Sequence, residues 1–322
     1  MRRFYRYSSV ILKDNQVDKD NQRHQEENIA VNSLKAWILA SRPKTLTGAM
    51  VPVMIGLAIS YADSHAEKPF QWLPAVLCLL FALVMQVVAN FVNDYFDFQK
   101  GNDDNTRLGP KRACSMGWVT THAMKKAILV SIVMACGMGL PLIFFGGLEM
   151  ILIGLLCVLF CFLYTTHLSY LGLGDVLVLV FFGIVPVCIC YYLQLNTITL
   201  QVILASVACG LVIDTLLMVN NYRDIENDIR SGKKTLAVRL GKSMSRIFYL
   251  LLGIVSCVMG GAFVFYGHLM AFFLPLLYLP LHVSTYKKMV KINHGEELDK
   301  VLGETARNML IYGILLTVGM LW

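Results

Sequence analysis

Residues 73–104 read LPAVLCLLFALVMQVVANFVNDYFDFQKGNDD, an apolar run that passes into amides and acids without losing helical spacing. Its apolar part, residues 73–95, suffices for one membrane crossing, which takes about 20 apolar residues. Comparable runs lie at 45–62, 124–144, 148–165, 174–192, 197–220, 244–265, 268–287 and 304–322. Nine transmembrane helices are therefore predicted. Composition agrees: of 322 residues, 57% are hydrophobic and 15% charged, and the mean hydropathy is +0.61, whereas a soluble domain carries about 25% charged residues. An ordinary water-soluble enzyme is excluded. The expected fold is all-α, a polytopic membrane domain over residues 35–322 preceded by a polar tail over 1–34.

The net charge of +7 comes from 28 Lys and Arg against 21 Asp and Glu. No basic stretch lies outside the flanks of apolar runs, so the charge is read as topology and not as a nucleic-acid surface. With nine spans, 27 of the 28 basic residues fall on one side and only Lys68 on the other. The positive-inside rule then places the amino terminus and three basic loops in the cytoplasm and the carboxy terminus outside. The tail contains no apolar core followed by a small-residue cleavage site, so it is no secretory signal; its composition reads as a disordered cytoplasmic extension. The nine cysteines form no C-x-x-C, and all but Cys114 fall in hydrophobic segments. They read as small buried side chains, with no disulfide framework and no zinc site.

At the end of the second span, Asn90, Asn93, Asp94 and Asp97 recur at three- and four-residue spacing and share a helical face. Gly101 ends or bends that helix, letting Asp103 and Asp104 fold back over the face. The sixth span ends similarly, in VNNYRDIENDIRSGKKTLAVRLG (219–241), where Asn221, Asp224 and Asp228 share a face. Carboxylates and amides together suit a hard divalent cation, and magnesium binds a few carboxylates plus substrate phosphates. The following loops hold cations for a phosphate: Lys100, Arg107, Lys111 and Arg112 after the first cluster, and Arg223, Arg230, Lys233, Lys234 and Arg239 after the second. Either cluster alone reads equally well as a solvated helix end. Their repetition four spans apart is what two halves facing one cavity would show. A transporter would place its polar residues near the bilayer midplane, whereas these acids gather at one face, which favours an enzyme.

The segments NDYFDFQKGND (93–103) and RDIENDIRSGKKTLAVRLG (223–241) resemble the two Asp-rich motifs of the UbiA superfamily of intramembrane aromatic prenyltransferases. Within it, SRPKTLTGAMVPVMIG (41–56), RLGPKR (107–112), LSYLGLGDVLVLVFFGIVPV (168–187) and ETARNMLIYGILL (304–316) are most similar to the menaquinone branch, the 1,4-dihydroxy-2-naphthoate polyprenyltransferases. The resemblance covers residues 37–322. It implies nine helices around a central cavity in the inner membrane of a cell. It also implies two magnesium ions bridging the diphosphate of a polyprenyl donor, and alkylation of dihydroxynaphthoate on carbon with loss of CO2 to give demethylmenaquinone. A different aromatic acceptor, such as 4-hydroxybenzoate or homogentisate, is the alternative.

On that resemblance Asn93, Asp97, Asp224 and Asp228 are the metal–diphosphate and catalytic residues, with Asp94 and Asn90 as supporting or alternate ligands. Lys111 and Arg112 are assigned to direct diphosphate contact, and Lys233, Lys234 and Arg42 are further candidates. Tyr164 and His167, at the inner end of the fourth span, either line the acceptor pocket or serve as an interfacial anchor and a structural histidine. Asp214 lies deep in the sixth span on the face of Asn221 and Asp224; an acid there is functional by default, or else protonated and bonded to a neighbouring helix. Two departures from the family pattern stand out: Gly101 and Asp103 where the superfamily often has an acid four residues after Asp97, and YTTHLSY (164–170) where glycines are expected.

Overall fold

The computed structural model describes residues 29–101, 108–109 and 111–322, and no β-strand occurs among them. The long helical segments are α1 (Leu34–Ala62), α2 (Trp72–Gln99), α3 (Thr121–Gly146), α4 (Glu149–Leu168), α5 (Gly174–Leu195), α6 (Leu200–Arg230), α7 (Leu236–Tyr266) and α8 (Leu269–Ile292), followed by α9 (Leu298–Leu321). Among the described residues, the first eight are long and apolar enough to cross a membrane. The 24-residue α9 has the length, but Asp299, Lys300, Glu304 and Arg307 crowd its first half, so a ninth crossing is not established. Every backbone polar group of a lipid-exposed segment has to be satisfied within the segment, which an apolar helix does.

Residues 1–28 of the predicted tail lie outside the described residues. The rest of it is tethered at a few points: Ile29 is buried with Trp118 in one cluster, the Asn32 N–H donates to the Trp118 carbonyl at 2.8 Å, and the Ser33 hydroxyl caps α1. α1 is broken at Arg42, whose φ of 49° is left-handed, and the break is held from α2, where the Asn90 amide donates to the Ser41 carbonyl at 2.8 Å and to Thr45 Oγ1 at 2.9 Å. Asn90 is thus occupied in bracing the entry to α1.

The helices α2, α3 and α4 pack together on one side, α6 to α9 on the other, and α1 and α5 join them. α6 is enclosed along most of its length, whereas α4 buries few of its side chains: one side lines a cavity within the molecule and some residues face outward. Leu152, Leu155 and Leu159 form such an outward ridge; apolar ridges of this kind are tolerated only where lipid covers them. α5 and α6 meet through glycines. A Cβ on Gly183 would stand 2.6 Å from the Ser206 carbonyl and 2.7 Å from the Gly210 Cα, so the backbones touch where side chains would hold them apart. Gly183→Val is expected to lower stability by about 1–3 kcal/mol through overpacking, read as an earlier thermal unfolding of the detergent-solubilised protein; an unshifted transition would show that the contact carries no weight.

Candidate functional site

Both acid-bearing helices run further than their apolar stretches, α2 to Gln99 and α6 to Arg230, so Asn93, Asp94, Asp97, Asn221, Asp224 and Asp228 all stand on helix. Gly101, at φ 68°, turns the chain just beyond α2. The two helix ends converge on one polar cavity of about 150 Å³. α2 contributes Asn93 and Asp97 to it, and α6 contributes Asn220, Asn221, Asp224, Asn227 and Asp228. Arg42, Arg112 and Lys233 bring cations to the same walls, and Tyr164, Thr165, Ser169, Asp175 and Thr235 complete the polar lining.

The acids are held by partners from both halves. Asp97 is 6% exposed; its Oδ2 accepts from the Arg112 guanidinium at 2.7 Å, and Lys233 Nζ lies 3.6 Å from its Oδ1. The loop that follows α6 therefore reaches the acid at the end of α2. Asp228 accepts from the Thr235 hydroxyl at 3.3 Å, and its carbonyl accepts from the Lys233 amide at 2.8 Å. Asp224 is gripped by the buried Arg223, which donates to both its oxygens at 2.9 and 2.8 Å, to Asn220 at 2.8 Å and to Asp299 of α9 at 2.6 Å. This fork geometry is what guanidinium offers and ammonium does not.

The inner end of α4 closes the site from the side. Tyr164–Leu168 forms a π-helical turn, a widening that helices use at functional sites. It brings Tyr164 and Thr165 to the cavity, where the Thr165 hydroxyl donates to the Asn93 side chain. Beyond the turn, the ring of Tyr170 has Lys100 Nζ 4.1 Å from its centroid and Lys233 Nζ 5.5 Å from it. One aromatic ring is thus held by a cation from each Asp-rich segment, a contact that strengthens where water is excluded.

A second, larger cavity of about 1400 Å³ runs from this site between apolar side chains of α1 to α6 and α9. Arg42, Asn93, Tyr164, Thr165 and Asn220 line both cavities and so form the junction between them.

Several residues singled out in the sequence lie elsewhere. Asp94 turns away from the cavity: its two oxygens accept from the Ala113 and Cys114 amides at 2.8 and 2.9 Å, so it holds the loop that carries Arg112. Lys111 lines the apolar cavity but not the polar one. Lys234 is exposed, and its amide donates to the Tyr170 carbonyl. His167 is exposed against Thr166. Asp214 is 4% exposed and lines neither cavity. Asp103, Asp104 and Arg107 lie outside the described residues. Asn220, Asn227, Thr165, Thr235 and Asp175 are site residues that the motifs do not single out; Asp175 alone carries a signal, a lone acid at the head of an apolar run.

A helical membrane protein with a cation- and acid-lined pocket at one helix end, opening onto an apolar chamber, is built for an amphiphile with a charged head. The profile of the UbiA prenyltransferase family matches residues 49–314. The chain is 34% identical over 304 residues to the 1,4-dihydroxy-2-naphthoate octaprenyltransferase of Escherichia coli K12, covering 90% of this chain and 96% of that one. It shares its fold with a UbiA homolog from Aeropyrum pernix K1 at a TM-score of 0.66 and 14% identity, covering 87% of this chain and 99% of that one. A UbiA homolog from Archaeoglobus fulgidus, solved with DMAPP and Mg2+, matches at a TM-score of 0.55 and 14% identity, over 88% and 99% of the two chains. The chain belongs to the UbiA prenyltransferase family. It is a multi-pass membrane prenyltransferase.

If Asp94 acts through the loop, Asp94→Ala loses two hydrogen bonds to a charged group and lowers stability by about 1.5–3 kcal/mol. Thermal unfolding of the purified variant measures this; a variant as stable as the parent would return Asp94 to the metal-ligand set.

Proposed function

We propose that this chain transfers a polyprenyl group from polyprenyl diphosphate to 1,4-dihydroxy-2-naphthoate, releasing diphosphate and CO2 and giving demethylmenaquinone in its reduced, quinol form. The observation that carries this reading is the junction of the two cavities: a polar pocket sized for a diphosphate head opens directly onto an apolar chamber for its tail. The relative from Escherichia coli, named for the same acceptor, supports the choice of ring.

The donor set fits magnesium. Asn93, Asp97, Asp224 and Asp228 offer only oxygen, and no Cys or His lines the polar pocket. Among the described residues no three His, Cys, Asp or Glu stand close enough to hold an ion by themselves; magnesium keeps several waters and takes further ligands from a substrate phosphate. When bound there, magnesium would neutralise charge developing on the departing diphosphate. Arg112, Lys233 and Arg42 face the same volume and stabilise that charge with fixed cations, which matters most as the bond from the allylic carbon to the diphosphate oxygen breaks. The apolar chamber keeps water from the allylic carbon. The naphthoate ring supplies the electron pair for the new carbon–carbon bond, and the carboxylate on that ring carbon leaves as CO2 as aromaticity returns.

The basic loops around this pocket set the orientation: the amino terminus, with residues 1–34 as a cytosolic extension to the membrane domain, and the active-site face lie in the cytoplasm. The membrane is the inner membrane of the cell.

Purified protein with Mg2+, a polyprenyl diphosphate and dihydroxynaphthoate is expected to form the prenylated, decarboxylated product, and EDTA is expected to stop the reaction. Turnover of 4-hydroxybenzoate in place of the naphthoate would overturn the acceptor assignment. Asp228→Ala should lower turnover about 100-fold or more while the variant still folds, because its side chain faces a polar cavity. Full activity in that variant would remove Asp228 from the site.

A further inference from the structure

Asp175 is the one acid of the polar cavity whose two carboxylate oxygens are both buried and meet no donor from any other described residue. Such a group is expensive to leave unsatisfied, so its partner is expected in whatever fills the cavity. Its position is fixed. The strap before it lies against the loop after α6: the Lys234 amide donates to the Tyr170 carbonyl at 3.1 Å, and the Arg239 guanidinium donates to the Leu171 carbonyl at 2.6 Å. Gly172, at φ 74°, passes so close that a Cβ would stand 2.3 Å from the Lys234 carbonyl. Asp175 then begins the first turn of α5. A Cβ on Gly174 beside it would stand 3.9 Å from the Tyr164 hydroxyl, and Tyr164 lines both cavities.

The chemistry of the occupants selects among them. A diphosphate has only acceptor oxygens and is repelled by a carboxylate. A prenyl tail has no polar atom. A carboxylate on the aromatic acceptor is repelled as the diphosphate is. Besides magnesium and the waters it keeps, whose part the Mg2+ dependence below reads separately, the ring hydroxyls of that acceptor are the donors that remain, and the junction beside Tyr164 is where a ring bound in the apolar chamber would present them to the diphosphate pocket.

Resting on the function proposed above, we propose that the Asp175 carboxylate accepts a hydrogen bond from a ring hydroxyl of the aromatic acceptor, making Asp175 and Tyr164 the acceptor subsite at the mouth of the apolar chamber. A hydroxyl bonded to a carboxylate gives electron density to its ring, so the contact both orients the acceptor and makes its carbon a better nucleophile.

The test is a split of kinetic constants in the intact detergent-solubilised enzyme. Asp175→Ala is expected to raise KM for dihydroxynaphthoate about tenfold or more, leaving KM for the polyprenyl diphosphate and the Mg2+ concentration at half-maximal rate within about twofold. Competitive inhibition by 1-hydroxy-2-naphthoate and 2-naphthoate gives a second readout. The parent should prefer the hydroxylated inhibitor, and the variant should lose that preference, which a merely structural role would leave in place. Asp175→Leu, of similar shape but with no acceptor atom, guards against misfolding: an unchanged acceptor KM and inhibitor preference in it overturn the assignment even where the alanine variant does not fold. A shift in donor KM or Mg2+ dependence with acceptor KM unchanged would make Asp175 part of the diphosphate site and also overturn it. Should the parent prenylate another phenol and ignore the naphthoate, the function proposed above fails, and the same constants measured with that phenol still decide the role of Asp175.

Discussion

The pairing of Asp97 with Arg112 and Lys233 is the interaction on which the rest of the site depends. A carboxylate taken out of water at the end of a membrane helix costs several kcal/mol unless it is paired. Here one partner comes from the loop after α2 and the other from the loop after α6. Satisfying one buried acid therefore requires the two halves of the molecule to meet, and the cavity between them follows. Arg223 does the same further along: it binds Asp224, Asn220 and Asp299 at once, and so ties the end of α6 to the start of α9.

The strap from Tyr164 to Gly174 depends on that meeting too. Tyr170 is held by Lys100 and Lys233, one from each Asp-rich segment, and Gly172 lies against the backbone of Lys234. With the strap fixed at both ends, the π-helical turn sets Tyr164 and Thr165 into the cavity and α5 starts with Asp175 at its wall. The absence of the expected glycines in residues 164–170 is met by this turn, which alters side-chain direction without them.

The helical architecture was legible because apolar runs of membrane length have no other stable form, and each predicted span overlaps an observed helix. The convergence of α2 and α6 was legible from repetition: Asp97, Asp224 and Asp228, with Asn93, do share one cavity. What periodicity does not carry is the rotation of a helix end. Asp94 and Asp97 are three residues apart on one face, and only tertiary contact sends the first to the Ala113 and Cys114 amides and the second to the cavity. Neighbouring cations divide for a related reason. Arg112 faces the polar cavity while Lys111 faces the apolar one, and Lys233 reaches Asp97 while Lys234 stays exposed; in loops no periodicity announces that division. Asp175 escaped notice because a single acid beside GLG matches no metal or phosphate spacing; its meaning lies in the absence of a partner, which only coordinates reveal.

The distribution of polarity argues for chemistry over transport. In an alternating-access transporter the polar site sits near the midplane between two openings. Here the polar residues form a shallow pocket at one end of α2 and α6, and the larger volume beneath it is apolar. A molecule that is charged at one end and hydrocarbon at the other satisfies both parts at once, and the bond between its two parts then falls at the junction. Arg42, Asn93, Tyr164, Thr165 and Asn220 stand there, where fixed charge on one side and exclusion of water on the other are both at hand.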